Sequence, residues 1–223
     1  MRNLSTWRFA AVVLLLAVSS VSSRDDTDVT VDRKERTVTI PCAVAPRKLP
    51  SLGRIYPIEV IATFPAPKGQ KAHETVVTYE AKPSEIHKAL VSLDLKPGKP
   101  AQGQGAAGMG PEVEIFLDIP TSSGKTKRIP IEEAMIDTKS GKPVPRLKWH
   151  FTGSALKQPD PEKDDKVYGA DLTGTLITVF PVTDDTVVQS GLNFKDQEKL
   201  KLELNKKVMP KEGTPLKLVI KVK

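Results

Sequence analysis

The sequence predicts an α+β fold: a β-rich single domain with one main amphipathic helix packed on a mostly antiparallel sheet. Three observations carry this expectation. Short alternating or β-branched segments recur along the chain, Gly, Pro and charged turns separate them, and the clearest helical periodicity lies at 83–93. No repeat at a fixed period and no boundary signal divides residues 24–223, which are expected to form one domain large enough to bury a core.

The elements follow in order. Val29, Val31, Val38 and Ile40 keep a period of two on either side of the charged turn 32–36, predicting a hairpin whose second strand ends at Pro41-Cys42. Pro46, Pro50 and Pro57 then favour an extended loop. The stretch 58–64 (IEVIATF) reads as a buried strand, and after the turn PAPKGQK the stretch 73–79 (HETVVTY) returns as its partner. Pro83 suits a first helical turn, because the N–H it lacks would be unpaired there. Ile86, Ala89, Leu90 and Leu93 then share one apolar face. Lys96-Pro97-Gly98 ends that helix, and 97–111 (PGKPAQGQGAAGMGP) is expected to be a mobile surface loop.

In the second half, 113–119 (VEIFLDI) and 127–131 are expected to pair across the turn 121–125. A short helix after Pro130 would bury Ile131, Ala134 and Met135. Strand-like segments follow at 146–151, 173–181, 186–189, 200–204 and 216–222, with QPDPEKDDK a charged loop between the first two.

The N-terminus reads as an export signal. Arg2 and Arg8 precede an apolar stretch at 9–18, long enough for a signal peptide core but short of the roughly 20 residues a bilayer span needs. Val21, Ser22 and Ser23 offer small residues for cleavage, so residues 1–23 are expected to be removed; retention as an anchor is the alternative. No later segment approaches a membrane span, and the address implied is periplasmic or secreted. Removing 1–23 takes two arginines and lowers the formal net charge from +7 to +5. Aromatic residues make up 5% of the chain, too few for stacking on bases, so a solvated lysine-rich surface fits better than nucleic-acid binding. Cys42 is the single cysteine, which excludes an internal disulfide and any thiolate-held cluster.

The segments HETVVT, SEIHKALVSLDLKPGKP, KWHFTGS and YGADLTGTL, in this order, resemble the YdjY-domain family of exported bacterial proteins. The resemblance runs from about Val31 to the C-terminus, and the proline-marked form is similar to proteins of planctomycete-type bacteria. It implies export and domain identity and carries no mechanism with it. Some relatives bear ferredoxin-type labels, but Cys42 alone cannot hold an iron–sulfur cluster.

The candidate site residues lie in those segments: His73, Glu74, His87, Trp149, His150, Ser154 and Asp171. His73 and Glu74 open a predicted strand, where neighbours face opposite ways and cannot share one ion; Val77 stands where a HExxH motif needs its second His. His87 flanks the helix's apolar face and could approach His73, making a His–His–carboxylate metal site conceivable; a polar His at the helix rim is the simpler reading. Trp149 and Phe151 share one strand face, most simply the core, and His150 the other. Ser154 with a His and Asp171 would suggest acyl transfer, but no GxSxG elbow is present, and a turn-capping serine accounts for it more simply.

The expected function is therefore an exported binding or assembly module with an unidentified protein or envelope partner and no assigned cofactor or metal. The alternative is a metal-dependent enzyme or accessory protein using His73, His87 and His150. Lysine contact with an anionic surface polymer is a third reading.

Overall fold

The computed structural model describes residues 28–105 and 107–223; the expected signal segment at 1–23 lies outside the described residues. The first alternating segments form β1 (Thr30–Asp32), β2 (Thr37–Val44), β3 (Val60–Thr63) and β4 (Thr75–Thr78), followed by helix α1 (Pro83–Val91). Strands β5 (Glu112–Pro120) and β6 (Thr126–Pro130) make the expected hairpin. A 3-10 turn at Ile131–Ala134 buries Ile131 and Ala134 as anticipated, then leads to β7 (Met135–Asp137), β8 (Lys142–Pro143) and β9 (Trp149–Phe151). Next come β10 (Leu156–Lys157), β11 (Val167–Tyr168), helix α2 (Gly169–Thr173), β12 (Ile177–Thr178) and β13 (Val188–Ser190). Helix α3 (Phe194–Lys199), β14 (Leu202–Leu204) and β15 (Pro215–Val222) complete the chain.

Eight strands close into a barrel in the order β2-β15-β5-β9-β13-β12-β3-β4, and β4 returns to β2 through Ala43↔Thr78 and Val44↔Val77. This closure corrects the α+β expectation. The longest helix among the described residues has nine residues and covers no open sheet. With so little helix, the sheet buries its apolar face by wrapping onto itself, which also removes most strand edges. Register makes the interior continuous: Ile40 lies beside Leu218, Leu218 beside Leu117, Val113 beside Trp149, and Phe151 beside Val188. Ile177, Ala62 and Val77 carry the same face around to Val44, and all of these side chains are buried.

Two other expectations change. Strands β3 and β4 are parallel, with Val60 beside Thr75 and Ala62 beside Val77, so 64–74 is a crossover rather than a hairpin turn. The described residues of the segment 97–111, expected to be mobile, form a strap tied to the barrel wall. Gly98 N donates to Phe151 O at 3.0 Å, Lys99 and Met109 exchange backbone hydrogen bonds, and Gly103 N donates to Pro181 O at 2.8 Å. The buried Gln189 side chain accepts from Ala101 N and donates to Ala101 O, both within 2.8 Å. Glycine is needed where the strap touches the wall: a Cβ at Gly110 would lie 2.1 Å from Phe151 O.

A small sheet, β14-β7-β8, packs beside the barrel and is joined to it by the Ile58 N to Leu202 O hydrogen bond. Its neighbour Glu132 is buried, and its carboxylate accepts the Trp149 indole N–H at 2.8 Å and the Leu147 amide at 3.1 Å.

Candidate functional site

Three chain segments bring polar side chains together where α1 meets α2. Pro83 at the first turn of α1 and the buried Ile86 and Leu90 fix that helix, leaving His87 on the flank of its apolar face. Strand β9 ends at Phe151, and the chain turns at Gly153, whose φ of +67° is left-handed; a Cβ there would stand 2.9 Å from Pro97 and 3.4 Å from the His87 ring. Strand β11 then delivers Tyr168 immediately before α2, which carries Asp171.

The resulting contacts form one connected knot. His87 Nδ1 lies 2.8 Å from the Tyr168 hydroxyl, which also accepts the Ser154 amide at 3.0 Å. The imidazole packs against Phe151 and Tyr168, with centroids 5.1 and 5.2 Å away. Burial lowers the His87 pKa, favouring the neutral ring, and burial raises that of Tyr168, keeping the phenol protonated. Ser154 Oγ accepts the Ala170 amide at 2.9 Å and donates to Ala155 O at 3.1 Å. Asp171 Oδ1 accepts the Ser84 amide at 2.8 Å. Neither helix has a side-chain cap from its own N-cap residue, so Ser154 and Asp171 satisfy first-turn donors of α2 and α1 from elsewhere in the chain.

A model of the YdjY domain matches residues 29–221. The chain belongs to the YdjY-domain family. No curated protein and no solved structure matches it. Three of the four segments that carried the resemblance meet in the YdjY knot, through His87, through Gly153 and Ser154, and through Tyr168 and Asp171.

The remaining sequence candidates lie apart from the knot. His150 is half-buried on the face opposite Trp149, as alternation implies, with Nδ1 3.0 Å from Gly110 O. Trp149 is a core residue, 2% exposed. His73 and Glu74 are not strand neighbours pointing apart: both lie in the 3-10 turn Ala72–Glu74, which brings His73 Nε2 to 3.3 Å from Glu74 Oε1. The three histidines thus occupy separate environments. Among the described residues no three His, Cys, Asp or Glu side chains are gathered as a metal ion requires.

Glu74 belongs to a second polar cluster. The Lys71 ammonium bridges Glu74 at 2.6 Å and Glu59 at 2.9 Å, and Gln197 donates to the other Glu59 oxygen. Burial alone would lower the Lys71 pKa, but the hydrogen bonds it donates to both carboxylates outweigh it and hold the ammonium above its ordinary value. Close by, the buried Arg47 guanidinium binds Glu203 at 2.8 Å, the His73 carbonyl at 2.8 Å and the Tyr56 carbonyl. Sequence reasoning passed over Arg47, Tyr168 and Glu132. Arg47 sits in a proline-marked loop with no periodicity around it, and Tyr168 gains its role from partners 14 and 81 residues away.

Proposed function

We propose that this YdjY-domain chain is an exported, non-catalytic binding or assembly module, acting in the periplasm or outside the cell. One observation carries the reading: the side chains most suggestive of chemistry are engaged in holding the molecule together. Ser154 Oγ is paired with two backbone groups and with no base, and Asp171 is occupied by the first turn of α1. A serine nucleophile needs a base in its own hydrogen bond, and neither His87 nor His150 supplies one. Cys42 is equally unsuited, since burial pushes its thiol far above the range in which a thiolate forms. Export is supported by the charge and hydropathy pattern of residues 1–26.

Two measurements on the full chain expressed in a bacterial host test this. A fluorophosphonate probe is expected to leave Ser154 unmodified in the folded protein; labelling there overturns the non-catalytic reading. N-terminal sequencing of the periplasmic fraction is expected to start at Arg24, whereas unprocessed protein confined to the cytoplasm removes the export assignment.

A further inference from the structure

A cleft of about 340 Å³ opens between the loop preceding β3 and the connection from β14 to β15. Its floor is aliphatic. Leu204 and Met209 are buried, Ile55 is 51% exposed at the side, and Pro210 closes one wall. Among the described residues no aromatic ring lines it.

The charges around this floor are unequal in availability. Arg47 and Glu203 neutralise each other, and the guanidinium donates further to the His73 and Tyr56 carbonyls, so it has little left for a ligand. Glu212 accepts the Arg47 amide at 3.0 Å, which holds its carboxylate toward the backbone but leaves its charge in place. Lys206 and Lys211, by contrast, line the cleft with no ion pair or side-chain hydrogen bond among the described residues. Two ammonium groups without an ion pair among the described residues outweigh the one charge of Glu212, and beside an aliphatic floor they define a preference: an apolar body carrying an anionic head.

We propose that this cleft binds a small aliphatic carboxylate, its chain on Leu204, Met209 and Ile55 and its head between Lys206 and Lys211. The volume is near the lower end of ligand pockets, roughly 300–1,000 Å³, which suits a single chain and not a two-chain lipid or a folded partner. Methionine adapts to an irregular flexible chain, and lysine acts as a point charge that imposes no planar geometry on the head group. The proposal rests on the binding-module reading but not on export. Its failure would leave the Ser154 labelling result, which tests that reading, unaffected.

The test is titration of the purified full chain with decanoate, below its micelle concentration, following the Met209 methyl resonance. Decyltrimethylammonium and inorganic phosphate are the paired controls, separating tail from charge. Saturable decanoate binding is expected, with little response to either control. The K206Q/K211Q double variant should weaken decanoate by about tenfold, the scale of two exposed ion pairs. These lysines are outside the core, so the variant should keep its thermal midpoint, which is measured alongside. Equal binding of the cationic amphiphile, equal binding of phosphate, an unmoved Met209 methyl or an affinity indifferent to both lysines each overturns the proposal.

Discussion

Tyr168 joins His87 to the Ser154 amide through a single hydroxyl, 2.8 Å from the imidazole Nδ1 and 3.0 Å from the amide nitrogen. The hydroxyl accepts from the amide and donates to Nδ1, which places the proton of the neutral imidazole on Nε2. The other tautomer would fill the oxygen with two donors and strand the phenol proton. One oxygen atom therefore couples α1, the end of β9 and the entrance to α2.

Tyr168→Phe removes that oxygen and keeps the ring against His87. It leaves the Ser154 amide and His87 Nδ1 unpaired in a half-buried place, and each such group costs about 1–3 kcal/mol. A loss of about 2–3 kcal/mol in urea unfolding is expected. An unchanged midpoint would mean that water replaces the hydroxyl and that the knot is not structural.

The same imidazole should make stability depend on pH. Burial lowers the folded-state pKa of His87 below its ordinary value near 6.5. Between the two values the unfolded chain binds a proton that the folded chain refuses, so stability falls as pH falls. The contribution is complete above about pH 6.5 and is lost progressively below it, levelling off beneath the folded pKa. Denaturant midpoints measured from pH 7.5 to 5 should drop for the wild type and drop less for His87→Gln. Identical slopes for both proteins would assign the acid sensitivity to other groups.

How far the sequence reveals this fold is clearest at particular residues. The hairpins around 32–36 and 121–125 are local, and alternation with turn chemistry places them correctly. The start of α1 at Pro83 is equally local. Closure is not local. It depends on Val44 meeting Val77 and on Val60 running parallel to Thr75, and alternation is the same for a parallel or an antiparallel neighbour. Ser154 and Asp171 are visible as polar residues beside turns, but the amides they cap lie 16 and 87 residues away. The strap misleads for a related reason: a run of glycines reads as freedom, whereas Gly98 and Gly110 at its two ends permit backbone to touch backbone.

That close approach gives a paired glycine prediction. Gly110→Ala would place a methyl 2.1 Å from the Phe151 carbonyl oxygen, a backbone atom that cannot move without disturbing β9. Overpacking of this kind costs about 1–3 kcal/mol. Gly53→Ala meets nothing within 4 Å and should stay within about 0.5 kcal/mol of the wild type. Hydrogen exchange at Gly98 and Lys99 should quicken in Gly110→Ala alone. Equal stability of the two variants would show that the strap is not fastened to the wall as described.

Arg47 offers the sharpest separation of charge from geometry. Its guanidinium is 5% exposed and joins three parts of the chain at once: Glu203 on β14, the His73 carbonyl before β4, and the Tyr56 carbonyl before β3. Arg47→Met leaves two carbonyls without their donor and the Glu203 carboxylate, 25% exposed, with the Leu204 amide, so the loss lies at the low end of that for breaking a buried ion pair from one side, about 3 kcal/mol. Arg47→Lys restores the charge but not the planar fork, so it should recover less than half of that loss. Pairing Arg47→Met with Glu203→Gln removes the stranded charge and should be less harmful than Arg47→Met alone. Chemical denaturation of the three variants checks the order. Full rescue by lysine would mean that net charge at this position, and not the fork that reaches both carbonyls, holds β14 to the barrel.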